Sequence, residues 1–190
     1  RYLRLNHWKA LEAMCQRADA VVCSTNEQKT DIQSYCQNVH IILDCHFNLM
    51  RAAKTDYSVG DTFNFVWEGL PGNLKLTFGI REVLQSLSAK YNIALHVVTD
   101  LQYGKYMGKF CVKNTLPLAK KLFDNSYLHE WKEETFADTV CQFDMAIIPI
   151  PLNKPLWFDS SLAIGKPENR LLLLWRMGMP TVVSATPAYQ

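Results

Sequence analysis

The chain has 190 residues and a mass of 21.8 kDa, and 48% of its side chains are hydrophobic while 20% are charged. This composition supports either one domain or a domain plus an appendage, and it excludes a disordered chain. Twenty basic and 18 acidic side chains leave a net charge of +2, too little for a field that holds nucleic acid or an anionic membrane, and apolar runs such as Leu171–Trp175 are far shorter than the roughly 20 residues of a membrane span.

The sequence begins at Arg1, shows no secretory leader and stops at Gln190 just after a strand-like segment, so we expect a piece of a longer, cytoplasmic protein. Its six cysteines are expected to be reduced thiols, because a chain with this much apolar content needs no disulfides. Cys36, His40, Cys45 and His46 lack the paired spacing of a structural zinc site, and we predict no metal.

The first 50 residues predict a partial α/β segment. Apolar residues from Leu3 to Ala18 recur at helical spacing, and Ala20–Cys23 follows as a short strand. Thr25 with Gln28 three residues later predicts a capped helix towards Tyr35. A β-branched run, Val39–Leu43, comes next, and residues 44–61 have no period, which indicates a crossover at a domain boundary.

From Phe63 onwards strands and helices alternate. Because the strands are nearly continuous apolar runs, the pattern predicts a mostly parallel sheet with helices on both faces. Residues 101–123 give no clear assignment. The predicted elements are a strand Phe63–Trp67, a turn Gly69–Asn73, a helix Leu74–Leu87, a strand Ile93–Val98, a helix Thr135–Cys141, a strand Met145–Ile150, a loop Pro151–Gly165, and a final helix and strand.

In an open parallel sheet, ligands bind outside the carboxyl ends of the strands. The first such loop, from Glu68 to Lys75, contains Gly69 and Gly72 and could bring backbone amides to a phosphate, or be an ordinary turn with a solvated lysine. It is not a dinucleotide fingerprint. A second glycine-lysine segment, Gly104–Lys109, has one residue too few between its glycines for a phosphate loop, and its lysines read as a solvated face.

The strongest local signal is the segment Gly165–Pro180. Pro167 and Gly178 mark the two ends of a helix from about Pro167 to Met177. Lys166, Asn169 and Arg170 lie at its amino end, where free amides and a partial positive charge favour an anion. The alternative, that both cations only extend into solvent, has equal weight from the residues alone.

Trp131 follows His129 and Glu130 and precedes two glutamates at a predicted helix entry. A tryptophan is usually a core residue, and carboxylates in a first helical turn complement the helix dipole. No Ser-His-Asp or Cys-His arrangement can be read from spacing, so the catalytic residues stay unknown.

Several segments in fixed order carry a family resemblance. They are Ala18–Ser24, Val66–Gly69 with Asn73 and Lys75, Trp131 with Glu134 and Thr135, Phe143–Pro149, Lys166–Arg170, and Gly178–Ser184. Together they resemble the carboxyl-terminal half of GT-B-type nucleotide-sugar glycosyltransferases, particularly the family 4-like group, over nearly the whole chain.

The resemblance implies an enzyme whose acceptor-side domain ends within residues 1–50, and whose Rossmann-like donor-binding domain covers residues 60–190, truncated at its carboxyl end. It implies metal-independent binding of a nucleotide-diphosphate sugar, the donor substrate, with no nucleic-acid partner. The acceptor is a glycan, a lipid-linked sugar or a small molecule, and peripheral membrane association would concern only the full-length protein. The implied donor-site residues are Gly69, Asn73, Lys75, Trp131, Lys166, Asn169 and Arg170.

Two departures from the family pattern support a rival interpretation. Leu173 stands where the family usually has a ribose-binding glutamate, with Gly165 at the position of its companion, and Leu70 replaces an arginine. Losing a ribose hydrogen bond costs about 0.5–1.5 kcal/mol. The leading hypothesis is a fragment that binds donor and is inactive alone. The rivals are a noncatalytic binding or assembly module of the same fold and, more weakly, a nucleotide-sugar epimerase.

Overall fold

The structure is a computed structural model that describes residues 7–43, 46–105, 111–152 and 165–190. Cys45 of the cysteine-histidine cluster, the end of the glycine-lysine segment at Lys109 and most of the predicted Pro151–Gly165 loop lie outside these ranges. Within the described residues there is no group of three or more potential metal ligands.

The first unit is a small α/β segment, as predicted. Its elements are α1 (His7–Cys15), β1 (Val21–Cys23), α2 (Asn26–Ile32) and β2 (Val39–Ile41), and the two strands pair in parallel. The predicted cap forms: Thr25 Oγ1 accepts from the Gln28 amide at 3.2 Å, and Gln28 Oε1 accepts from the Ser24 amide at 2.9 Å. Cys15, Cys23 and Cys36 are free thiols buried around Val39, where they pack as small apolar side chains.

The second unit is a five-stranded parallel sheet, which confirms the predicted Rossmann-like α/β architecture. Its strands are β3 (Phe63–Glu68), β4 (Ile93–Thr99), β7 (Ser126–Glu130), β8 (Met145–Ile148) and β9 (Thr181–Val183), in the spatial order β7-β4-β3-β8-β9. β7 was not predicted, because an edge strand with one open face has alternating polar residues and lacks the continuous apolar run of a central strand.

Both faces of the sheet are covered by apolar side chains, as a parallel sheet requires. Val98 and Ile148 face α5 (Phe136–Val140) and α6 (Asn169–Arg176) in one core. On the other face, the core residues are Trp67, Leu95 and Val97 from the sheet with Leu74, Leu84, Ala119 and Leu122 from the elements that cover it.

The segment after β3 differs from its prediction. Instead of a turn and a helix Leu74–Leu87, the chain forms a 3₁₀ segment Pro71–Ile80 followed by α3 (Arg81–Ser88). Thr77 is buried there, and its Oγ1 donates to the Leu74 carbonyl at 2.7 Å. Such a local bond offers the backbone an alternative to the α-helix, and the helical periodicity alone could not reveal it.

The unassigned stretch after β4 contains an antiparallel hairpin and a helix. β5 (Gln102–Lys105) pairs with β6 (Cys111–Asn114), and α4 (Leu116–Leu122) follows. Thr115 Oγ1 donates to the Asp100 carbonyl at 2.7 Å, which ties the base of the hairpin to the end of β4. Two short 3₁₀ turns, Phe47–Leu49 and Pro187–Tyr189, complete the described elements.

Helix α6 ends as the sequence predicts. Gly178 has a positive φ of 73°, its amide donates to Trp175, and the Met179 amide donates to Leu174, both at 2.9 Å. These two hydrogen bonds close the last turn of the helix, and the positive φ favours glycine at that position. The crossover that follows β2 is attached to this end of α6, because the Lys54 amide donates to the Met177 carbonyl at 2.7 Å.

Two histidines lie side by side on the sheet. His96 Nδ1 is 2.9 Å from His129 Nε2, and His96 Nε2 is 3.1 Å from Asn64 Oδ1. Because an amide oxygen only accepts, His96 carries its proton on Nε2 and accepts from His129 through Nδ1. The His96 ring also stacks on Phe143 at 4.1 Å between centroids. With both rings neutral, these bonds satisfy both nitrogens of His96.

We predict that the protein loses stability in mild acid because of this pair. Burial, and secondarily the neighbouring His129, lower the pKa of His96 from 6.5 to about 4. Between these values the unfolded chain binds more protons than the folded one, so the free energy of unfolding falls as the pH drops from 6.5 towards 4. Urea titrations at several pH values measure this slope.

His96→Gln should flatten the slope, whereas His40→Gln, at an exposed histidine of β2, should leave it unchanged. Equal slopes for the wild type and His96→Gln would contradict the assignment.

Candidate functional site

A cavity of about 470 Å³ lies at the carboxyl edge of the parallel sheet. The ends of β3 and β4, the residue after β7 and the first turn of α6 form its wall, together with part of the crossover. This is the edge at which the sheet topology predicts a ligand. A larger but more open cavity, of about 560 Å³, lies at the opposite edge near Arg81 and Asn92, where strands of this type do not hold ligands.

The cavity gathers most of the residues that the resemblance implies. Gly69, Asn73, Trp131, Asn169 and Arg170 all line it. Lys75 is exposed on the 3₁₀ segment and is not in the wall. Lys166 is half-buried and also lies outside the wall. It is nevertheless close enough to Arg170 for the two positive charges to interact.

Arg170 is held by an ion pair inside the cavity. Its Nε lies 2.5 Å from Glu68 Oε1, and the two side chains are 27% and 17% exposed. Glu68 ends β3 and Arg170 begins α6, so the pair connects the strand to the helix that follows much later in the chain. The Glu68 carboxylate thus neutralises Arg170, one of the cations that the sequence analysis expects to bind an anion.

The two cations at the start of α6 repel each other. Burial, and then the charge of Arg170, lower the pKa of Lys166. An anion beside Lys166 would oppose both effects, since a negative charge favours the protonated ammonium. The electrostatics of this end of the site therefore favour a negatively charged group.

The polar ends of Asn169 are already engaged. Its Oδ1 accepts from the Arg170 amide at 2.8 Å, and its Nδ2 lies 3.3 Å from His46 Nε2. Asn169 thus uses one of the free amides at the helix start, and it ties the crossover to α6. Asn169 therefore helps to position the first turn of α6, in addition to lining the cavity.

Gly69 allows the close approach of three groups. Its φ is +151°, and a Cβ built there would lie 3.0 Å from two atoms of the Trp67 ring and 3.3 Å from Arg170 Nη2. Trp67 is buried and cannot move aside. Only glycine leaves room for the arginine over the strand end.

Several wall residues escaped the sequence reasoning. Thr99 and Asp100 directly follow the predicted strand Ile93–Val98, so the rule that ligands collect at carboxyl ends could have found them. His46 and Leu49 come from the aperiodic crossover, which carries no such signal. Leu173, the position of the family's usual glutamate, also lines the cavity and gives it an apolar surface.

The chain matches no family model and no curated protein. Among solved structures it is similar to TarM, with a TM-score of 0.56 and 10% identity over 95% of this chain and 32% of TarM. It is also similar to the lipopolysaccharide outer core galactosyltransferase WaaB in its apo form, with a TM-score of 0.48 and 11% identity over 87% of this chain and 43% of WaaB.

The chain therefore spans about a third of the length of TarM. The similarity to TarM shows the fold, which is GT-B-like with a Rossmann-like sheet. No helix in the described ranges is long and apolar enough to cross a membrane.

We predict that Gly69→Ala destabilises the protein, because the new methyl group meets the buried Trp67 ring in a strained backbone conformation. The expected loss is about 1–3 kcal/mol of unfolding free energy, measured by urea denaturation. Gly72→Ala is the matched control, since a Cβ there has no atom within 4 Å. Equal denaturation midpoints for the two variants would refute the close approach.

Proposed function

We propose that the protein is a nucleotide-sugar glycosyltransferase and that residues 60–190 bind its donor. One observation carries the proposal: in a GT-B-like fold, the cavity at the carboxyl edge of the sheet combines Arg170, the aromatic Trp131 and two asparagine amides. A cation suits the diphosphate, and an aromatic ring suits the base. In this proposal, transfer to an acceptor is an activity of a longer protein that contains this chain.

In this proposal the positive charge at the start of α6 stabilises the leaving group of the transfer reaction. Arg170 and Lys166 stabilise the diphosphate as it gains negative charge during cleavage of its bond to the sugar. No metal is required for that role, because two cationic side chains supply the charge. The Glu68 carboxylate contacts Arg170 at Nε, so a donor phosphate either replaces that carboxylate or binds the other N–H groups of the guanidinium.

We further propose that residues 1–50 are the end of an acceptor-side domain. β1 and β2 form a parallel pair. Val22 within β1, and Ile42 and Leu43 just after β2, are 60%, 59% and 53% exposed. Parallel sheets are normally covered on both faces. The exposure of these apolar residues therefore supports the proposal that the pair belongs to a larger domain. The acceptor is a glycan, a lipid-linked sugar or a small molecule. We place the protein in the cytoplasm, consistent with its free thiols at four described cysteines.

A noncatalytic module of the same fold is the second candidate. It is favoured by Leu173, which puts an alkyl side chain in the wall of the cavity, and by Glu68, which neutralises Arg170. Such a module would keep the fold and the cavity but would bind no activated sugar.

We predict that Arg170→Ala weakens the binding of nucleoside diphosphates by about 1.5–3 kcal/mol, the usual value of a hydrogen bond to a charged group. Isothermal titration with uridine, guanosine and adenosine diphosphates and their hexose conjugates measures the loss. Arg176→Ala is the matched control, because it removes the same side chain from the exposed end of the same helix.

Unchanged affinity in Arg170→Ala would reject the assigned phosphate contact. No binding of any compound to the wild-type chain would favour the noncatalytic module.

A further inference from the structure

Two side chains of the first unit contact the backbone just before α6. Gln28 Nε2, in α2, donates to the Gly165 carbonyl at 2.8 Å, and Thr25 Oγ1 lies 3.5 Å from the same oxygen. These contacts join residues that are 137 and 140 positions apart in the chain. Gly165 directly precedes Lys166, the half-buried cation whose charge interacts with Arg170. The first unit is therefore bonded to the backbone that carries Lys166.

The same two side chains form the cap of α2. Gln28 Oε1 accepts from the Ser24 amide, and Thr25 Oγ1 accepts from the Gln28 amide. A glutamate in place of Gln28 would complete such a capping box equally well. Only glutamine also has an NH₂ group that can donate to a carbonyl. The residue present at this position therefore serves the contact with Gly165 as well as the cap.

The entry of α6 has no side-chain cap of the same kind. Its N-cap residue, Glu168, makes no capping hydrogen bond through its side chain within the described part of the chain. Residues 165–168 precede the first helical turn, where the backbone is not held by the hydrogen bonds of the helix. Lys166 lies in this stretch. The bond from Gln28 to Gly165 supplies an anchor one residue away from it.

Lys166 needs such an anchor because its charge is unfavourable where it lies. Burial, and then the charge of Arg170, lower the pKa of Lys166. If the backbone were free to move, the ammonium group would relax into solvent and away from Arg170. The bond from Gln28 opposes this movement, since it holds the peptide group that joins Gly165 to Lys166. The two cations then stay close enough to bind the same diphosphate.

We propose that Gln28 is a positioning residue that holds Lys166 beside Arg170 through the Gly165 carbonyl, so that the first unit sets the affinity of the second for a diphosphate. This inference rests on the proposed function, in which Lys166 and Arg170 bind the diphosphate of a nucleotide sugar. It goes beyond that function because Gln28 is not in the cavity wall and belongs to the other unit.

The test uses Gln28→Met, which keeps the length of the side chain and removes its polar atoms. Thr30→Gly is the matched control, because it weakens the same helix at an exposed residue whose hydroxyl bonds to Asn26 instead of Gly165. In backbone NMR spectra of the ligand-free chain, the Lys166 amide signal should shift in Gln28→Met and keep its wild-type position in Thr30→Gly. An unshifted signal in Gln28→Met would show that the contact with Gly165 does not exist.

Isothermal titration then measures the effect on binding, with whichever of uridine, guanosine and adenosine diphosphate the wild type binds best. Gln28→Met should bind this compound about threefold to tenfold more weakly, the range expected for one hydrogen bond, and Thr30→Gly should stay within about twofold of the wild type. In a Lys166→Ala background, Gln28→Met should cause a further loss of less than about twofold, because the side chain that it positions is absent.

Three binding results would overturn the inference while leaving the proposed function intact. Equal affinity of Gln28→Met and the wild type would show that the contact does not affect the site. A similar loss in Thr30→Gly would assign the effect to the stability of α2. An undiminished loss in the Lys166→Ala background would show that Gln28 does not act through Lys166. A wild type that binds none of the diphosphates is a different outcome, since it removes the proposed function first and this inference with it.

Discussion

The parallel register of β3, β4 and β7 is the constraint on which the candidate site depends. It brings Glu68 and Thr99 to one edge of the sheet, with Trp131 just beyond the end of β7. The helix that starts at Asn169 then closes the edge from the other side, and the ion pair between Glu68 and Arg170 joins strand to helix. Without parallel pairing these groups would lie at opposite ends of the sheet.

The ion pair decides the electrostatic character of the cavity. A lone arginine at the start of α6 would attract any anion, but Glu68 occupies it in the structure described here. Lys166 adds a second cation nearby. Under the proposed function, a diphosphate with two charged groups suits two cations better than a simple monoanion does.

Two buried polar features of the sheet lie apart from each other. The Thr99 hydroxyl, at a residue of the cavity wall, is buried and has no partner among the described residues, whereas the His96–His129 pair is on the sheet away from that wall. The histidine pair needs no ligand, since its bonds to each other and to Asn64 satisfy it while both rings are neutral.

The sequence by itself determined the local elements: the capped helix after Thr25, the end of α6 at Gly178 and the parallel α/β class. Five residues that the resemblance implies also line the cavity. Periodicity, caps and glycine conformations depend on neighbours within a few residues, so the sequence records them directly. Only the tertiary structure decided that Glu68 neutralises Arg170, that the crossover reaches α6 through His46, and that the Thr99 hydroxyl is buried with no partner among the described residues. These facts depend on the three-dimensional path that brings distant segments together, and no local pattern encodes that path.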